Sequence, residues 1–311
     1  MNSWRAEFGD AFAGRRVLVT GGTGFIGRHL SDALRALDAE VHVFSRKPGS
    51  HQAADPSNTW TVDLFDLEAV RSATLTIRPQ IVYHLAGLVT SGPDPDLVLP
   101  TLWADLLGTV HVLIAAMDVS CQRVVVAGSS EEPMHVFRGP GPSSPYAAAK
   151  AASSLYTRMF NSAFGLPTVI GRTFVTYGPG QDATRLVPYA ISRLLQGEYP
   201  SLRAPERVCD FIFVLDVVRG FLKMGAASGL EGTAVDLGTG KGTKVRKVVE
   251  LLVEIIGCEN RPPATSSQER PEEPGGNATL AVRRNAMGWR PKWSLREGLM
   301  ATVKWYRDLA R

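Results

Sequence analysis

The run Val17-Leu18-Val19-Thr20-Gly21-Gly22-Thr23-Gly24-Phe25-Ile26-Gly27-Arg28-His29-Leu30 constrains this chain more than any other segment. A β-branched strand runs straight into glycines spaced G-x-x-G-x-x-G at Gly21, Gly24 and Gly27, and an apolar helical pattern follows. Gly21 permits the tight strand-to-helix turn, Gly24 lets the backbone approach a pyrophosphate, and Gly27 keeps the helix close to the sheet. The phosphates of a dinucleotide would then sit over the helix N-terminus, with Thr23, Phe25 and Ile26 in the same cradle. Spaced glycines alone mark many structural turns, but here strand, turn and helix fall in the order that dinucleotide binding requires.

The rest of the first half keeps the same rhythm. Strands are expected at Arg16–Thr20, Glu40–Ser45, Thr59–Asp63, Ile81–Leu85, Arg123–Ala127 and Pro167–Phe174. Helices are expected near Phe25–Leu37, Leu67–Ile77, Leu97–Met117 and Pro145–Phe164. Alternation at this spacing means right-handed βαβ units and an α/β, Rossmann-type doubly wound parallel sheet. After about Tyr177 prolines punctuate shorter elements around one clear helix at Lys244–Ile256, and Arg261–Gly276 reads as a loop. The expected organisation is a dinucleotide-binding domain over residues 1–176 and a smaller C-terminal α/β substrate-binding lobe over 177–311, with segments free to cross between them.

Composition narrows the function. The 311 residues are 44% hydrophobic with a net charge of +4 spread along the chain, so there is no basic stripe of the kind nucleic acid would need. No apolar stretch is expected to reach membrane-spanning length and no signal sequence is apparent, which together imply a cytoplasmic protein without a membrane partner. Cys121, Cys209 and Cys258 are odd in number and far apart, and the six histidines show no ligand spacing, so neither a disulfide framework nor a metal site is expected.

Tyr146-Ala147-Ala148-Ala149-Lys150 carries the chemistry. Four residues of separation put both side chains on one helical face, where an ammonium beside a phenol can bring the tyrosine pKa down towards neutral. Such a tyrosine could exchange a proton with an alcohol or ketone while hydride moves to or from nicotinamide. The segment Ala127-Gly128-Ser129-Ser130-Glu131 ends an apolar strand, where the ligand crevice of such a sheet lies, so Ser129 is placed to hydrogen-bond the reacting oxygen.

With these residues in view, the chain resembles the extended short-chain dehydrogenase/reductases of the NAD-dependent epimerase/dehydratase family, which mostly modify nucleotide sugars. The likeness runs through Thr20–Gly27, Asp63-Leu64, His84–Gly87, Gly108-Thr109, Ser129–Glu131, Tyr146–Lys150, Tyr177–Gln181, Arg185–Pro188, Asp210-Phe211, Asp216–Val218, Arg270-Pro271 and Gly288–Pro291. The resemblance implies Ser129, Tyr146 and Lys150 as a catalytic set and Asp63-Leu64 against the adenine. It implies Leu85-Ala86-Gly87 along the cofactor backbone, and Arg185 and Arg270, with Ser129 and Ser130, on the substrate; guanidinium groups suit a diphosphate. A homodimer is expected. Three positions and one segment depart from the family pattern: Asp105 and Val175 replace asparagines, Cys209 replaces an arginine, and Glu132-Pro133-Met134 replaces an apolar-Tyr-Gly segment.

The end of the second strand bears on the cofactor. NAD binders usually place an acid there for the ribose 2′-hydroxyl, whereas this chain has Phe44-Ser45-Arg46-Lys47. Ser45, Arg46 and Lys47 favour NADP(H), with NAD(H) as the alternative. A basic strand end and the Ser129–Glu132 run fit NADPH-dependent reduction of a nucleotide-diphospho-4-keto-6-deoxy sugar, with Tyr146 as proton donor. The alternative is a 4,6-dehydratase, epimerase or decarboxylase that recycles its cofactor and uses Glu131 as acid/base. A non-catalytic dinucleotide-binding protein is the reading from a different class; the intact Ser129, Tyr146 and Lys150 argue against it.

Overall fold

The computed structural model describes residues 2–46, 58–90, 92–133, 141–257 and 287–309. Lys47, Arg270, Met134, Cys258 and the stretch Arg261–Gly276 lie outside these described residues.

The described chain divides into two compact units, Met1–Thr173 with Val218–Val235, and Phe174–Val217 with Asp236–Arg311. In the first, strands β1 (Arg16–Thr20), β2 (Glu40–Ser45), β3 (Thr59–Thr61), β4 (Ile81–His84), β5 (Arg123–Ser129) and β6 (Thr168–Thr173) alternate with helices α2 (Phe25–Arg35), α3 (Leu67–Ile77) and α6 (Pro145–Phe164). With β9 (Thr233–Leu237) they form a seven-stranded sheet of order β3-β2-β1-β4-β5-β6-β9. Every pair from β3 to β6 is parallel, with Arg16 opposite Glu40, Val17 opposite Ile81, Ile81 opposite Arg123 and Val124 opposite Thr168. Helices cover both faces, so the strands read as unbroken apolar runs instead of alternating. On one face Leu18, Val82, Val124 and Val126 pack with Val70, Ile77, Val112, Leu113 and Phe160. Strand order reverses between β1 and β4, and a ligand crevice opens at the carboxyl ends of strands at such a switch point.

A 3-10 turn (Pro95–Leu97), α4 (Val98–Thr101), a π-helical turn (Leu102–Leu107) and α5 (Gly108–Asp118) join into one helical run. This corrects one expectation, because Pro95–Asp118 is 24 residues long and by length and composition apolar enough to cross a membrane. Part of its apolar content is used within the first unit, whereas Val98, Leu99, Leu102 and Trp103 are exposed. It packs against α3 and α6, and its inner face buries Thr101, Asp105, Thr109 and His111 beside the apolar Val112 and Leu113.

In the second unit a three-stranded sheet of order β10-β8-β7 joins β7 (Val175–Tyr177), β8 (Val208–Phe213) and β10 (Gly242–Lys244). Helices α7 (Leu186–Leu195), α9 (Val245–Ile256) and α10 (Leu295–Leu309) accompany it. Two motif residues act as ties here. The Asp216 carboxylate accepts Lys292 and Trp293 N–H bonds at 2.9 and 3.0 Å, and its carbonyl accepts the buried Trp289 indole at 3.0 Å. Asp210 accepts the Thr239 and Gly240 N–H groups at 2.9 and 2.7 Å.

Candidate active site

The glycine turn is built for close approach. Gly21 has φ +69°, and a Cβ there would meet Ala86 N at 2.7 Å and Leu85 C at 2.8 Å, so the turn after β1 lies directly against the one after β4. A Cβ on Gly27 would drive into the Gly21 carbonyl. Gly24 is the N-cap of α2 and offers no side chain to cap it, which leaves the first N–H groups of the helix for an anionic ligand. Thr23, Phe25 and Ile26 flank this turn and are half-buried. On the other side, Leu85 and Ala86 are half-buried, and a side chain on Gly87 would collide with the Asp105 carboxylate and crowd Lys150 Nζ at 3.2 Å. Asp63 turns the chain after β3 by accepting the Phe65 N–H at 3.1 Å, and His111 Nδ1 lies 2.8 Å from the Leu64 carbonyl. Ser45 is buried at the end of β2 and Arg46 is exposed just beyond it. These residues fit a dinucleotide, since the cradle is bare backbone where a Cβ would intrude.

α6 begins sharply. Ser144 caps it by accepting the Ala147 N–H at 3.1 Å, and Pro145 occupies the first turn, where its missing N–H costs nothing. That start sets Tyr146 and Lys150, both buried, against the end of β5. The Ser129 hydroxyl hydrogen-bonds the Tyr146 phenol. Lys150 Nζ donates to the Ala127 carbonyl at 3.1 Å and lies 3.3 Å from Asp105 Oδ1. Ser129, Tyr146 and Lys150 are therefore together. Glu131 is half-buried, its N–H donates to Ser129 Oγ at 3.2 Å, and its charge acts on the Tyr146 phenol. Ser130 is half-buried beside it, its N–H bonded to the Thr173 carbonyl at 2.9 Å. Arg185 is exposed at the N-cap of α7 in the second unit.

One electrostatic expectation is corrected. Burial is the largest influence on Tyr146 and raises its pKa. The Asp105 and Glu131 charges add to that rise, and Lys150 and the Ser129 hydrogen bond do not overcome it. The phenol thus sits above its ordinary value, not near neutrality. Burial also works against the Lys150 charge, but Tyr146, Asp105 and Glu132 outweigh it and hold the ammonium above its usual range.

Sequence reasoning missed the inward role of Glu132. Its Oε1 accepts the Ser129 N–H at 2.6 Å and its Oε2 accepts the Ser154 hydroxyl at 2.7 Å, with the side chain buried under the serine turn. A Cβ on Gly128 would stand 2.6 Å from that Oε1, so the glycine makes the room. The Gly128–Glu132 spacing was the available signal. A second missed device is a buried relay from β1 to the π-turn. Thr20 Oγ1 and His84 Nδ1 are 2.7 Å apart, His84 Nε2 and Thr109 Oγ1 are 2.9 Å apart, and Thr109 donates to the Asp105 carbonyl at 2.6 Å. With the Thr109 proton committed to that carbonyl, His84 must donate through Nε2 and accept from Thr20 at Nδ1. Burial, aided by Lys150, pushes the imidazole down to about 3, so it stays neutral.

Comparison with known proteins agrees with this geometry. The model of the NAD dependent epimerase/dehydratase family matches residues 17–238. The chain is 26% identical to the dTDP-D-glucose 4,6-dehydratase of Bos taurus, over 96% of this chain and 90% of that one. It is 27% identical to the UDP-glucose 4-epimerase of Thermotoga maritima, solved with UDP-glucose, with a TM-score of 0.83 over 95% of this chain and 99% of that one. It is 30% identical to the UDP-glucose 4-epimerase of Thermus thermophilus, solved with NAD, with a TM-score of 0.78 over 94% and 99%. The family match covers well over half of the sequence, and the chain belongs to the NAD-dependent epimerase/dehydratase family, enzymes of the extended short-chain dehydrogenase/reductase type.

Proposed function

We propose that this enzyme removes water from a nucleoside-diphospho-hexose by an internal oxidation and reduction, as a sugar-nucleotide 4,6-dehydratase. The observation that carries this reading is Glu131, a carboxyl group on the same turn as Ser129 whose charge is felt by the Tyr146 phenol. The relatives support it, since they include a 4,6-dehydratase and 4-epimerases, and the ketoreductase reading of the sequence gives way to its alternative.

When bound, the nicotinamide cofactor takes a hydride from the sugar and returns it, so no reductant is consumed. In the minority phenolate form, which the Lys150 ammonium and Ser129 favour against burial, Tyr146 would receive the proton of the C4 hydroxyl while Ser129 holds that oxygen. Glu131 then removes the C5 proton, made acidic by the neighbouring ketone, and delivers a proton to the departing C6 hydroxyl. Return of the hydride to C6 would be matched by a solvent proton at C5, and Tyr146 would release its proton to solvent, which leaves a 4-keto-6-deoxy sugar and one water. dTDP-glucose or UDP-glucose carrying deuterium at C4 should give product with deuterium at C6 and no net change in cofactor. Deuterium arriving from labelled NADPH instead would restore the ketoreductase. Deuterium back at C4 of an epimer would favour a 4-epimerase, the activity named for the similar Thermotoga maritima enzyme.

For the cofactor, Ser45 and the exposed Arg46 at the end of β2 favour a 2′-phosphate, because Ser45 and Arg46 stand where an NAD binder would place its acid for the ribose hydroxyl. Arg46→Ala should weaken NADPH binding by roughly 1.5–3 kcal/mol, the scale of a lost charged hydrogen bond, and leave NADH binding unchanged in titration calorimetry. Equal losses for both would remove the assignment and leave NAD as the cofactor.

A further inference from the structure

Asp105 is the one residue of the described helical flank Pro95–Asp118 that brings a carboxylate to Lys150. It sits in the π-helical turn, a local irregularity frequently found at functional positions, and it is fully buried. Its Oδ1 lies 3.3 Å from Lys150 Nζ and accepts the Leu88 N–H at 3.2 Å, whereas Oδ2 has no hydrogen-bond partner among the described residues. The backbone beneath it is pinned, its carbonyl accepting both Thr109 and Ser153 hydroxyls. A buried carboxylate held this firmly against the ammonium beside Tyr146 is costly to maintain unless the charge does something there.

We propose that Asp105 is a positioning residue for the lysine–tyrosine pair, sharing the Lys150 ammonium with the Tyr146 phenol and so setting the pH at which Tyr146 yields its proton. Other charged groups face the same pair. Glu132, from the turn after β5, acts on Lys150, with Arg172 of β6 acting on Glu132 in turn; Glu131 acts on Tyr146; and His84 of β4 is held neutral. Of these, Asp105 is the carboxylate in direct contact with Nζ. Burial raises the Asp105 carboxyl itself, opposed by Lys150 and the Leu88 N–H; in its ionised form it weakens the lysine's pull on the phenol and repels the phenolate, in keeping with the raised value of both Tyr146 and Lys150.

This inference rests on the proposed role of Tyr146, but its test does not need the substrate. Full-length protein with 13C at tyrosine Cζ, and NADH added so that no nicotinium charge faces the phenol, reports each tyrosine's ionisation by NMR. Tyr146→Phe assigns the relevant signal. In the unaltered protein Tyr146 should remain protonated at neutral pH, and a phenol already ionised there would overturn the proposal without any variant. In Asp105→Asn, which keeps the shape and the Leu88 bond, the same signal should titrate roughly one pH unit lower. An unmoved titration in a folded variant would also overturn it. Turnover provides a separate reading, because the limb of kcat/KM that reports Tyr146 should move with the titration, whereas a purely structural role lowers activity evenly across pH. Failure of the redox role itself would appear elsewhere, as Tyr146→Phe retaining turnover.

Discussion

Tyr146→Phe should lower turnover by roughly 10²–10⁴-fold, the scale of a positioned general acid or base, while cofactor binding and folding persist. The ring stays in its buried place on α6, and only the hydroxyl bonded to Ser129 is lost. The loss should fall on kcat, because the phenol contributes to proton transfer in the transition state more than to ground-state binding. Single-turnover measurement of cofactor absorbance would isolate the step, since a missing proton acceptor slows the first oxidation itself. Near-native oxidation in this variant would remove Tyr146 from the chemistry and leave the Lys150 ammonium as a structural cation.

Glu131→Gln should have a comparable effect on a narrower part of the reaction. The amide matches the carboxyl in shape and leaves the backbone bond to Ser129 Oγ intact, but it cannot accept a proton from C5. Loss of water should therefore fall by roughly 10²–10⁴-fold, while hydride removal from C4 survives. Reduced cofactor and a 4-keto sugar that has kept its C6 hydroxyl should accumulate on the enzyme, visible as a nicotinamide absorbance that fails to decay. If dehydration continues at its original rate, Glu131 is not the acid/base and the dehydratase reading loses its main support. The contrast with Glu132 is informative. That side chain turns inward and holds the Ser129 N–H and Ser154, so its replacement is expected to disturb the serine turn without acting on the sugar directly.

Much of this protein is legible in local pattern alone. The β-branched runs at Arg16–Thr20 and Glu40–Ser45 are strands over those same residues, and Ser144-Pro145 begins a helix that ends before Gly165 in the left-handed conformation. Such features are readable because strand pleat, helix caps and glycine turns depend on neighbours a few residues away. The glycine spacing and the four-residue interval from Tyr146 to Lys150 belong to the same class; the first lies in the turn after β1 and the second sets two side chains against the end of β5. Asp216 and Trp289 were readable only as family motif positions, and their use as mutual ties in the second unit appears once the chain is folded.

The electrostatics of the site followed a different logic. Sequence placed a lysine one turn from a tyrosine and so implied a lowered phenol. It could not show that the fold buries the pair and sets Asp105 against the ammonium from another helix. It singled out Glu131 but could not show that the adjacent, chemically alike Glu132 turns under Gly128 and holds the Ser129 N–H. The apolar run Pro95–Asp118 shows the same limit, since its composition alone would suit a membrane and its buried Asp105, Thr109 and His111 give it a place beside the sheet. Sequence by itself determined the strand–helix order of the first unit and singled out the glycine turn, Ser129, Tyr146 and Lys150, because these are written in short-range spacing. Tertiary structure alone decided their protonation and orientation, because desolvation and through-space charge depend on what packing brings from distant parts of the chain.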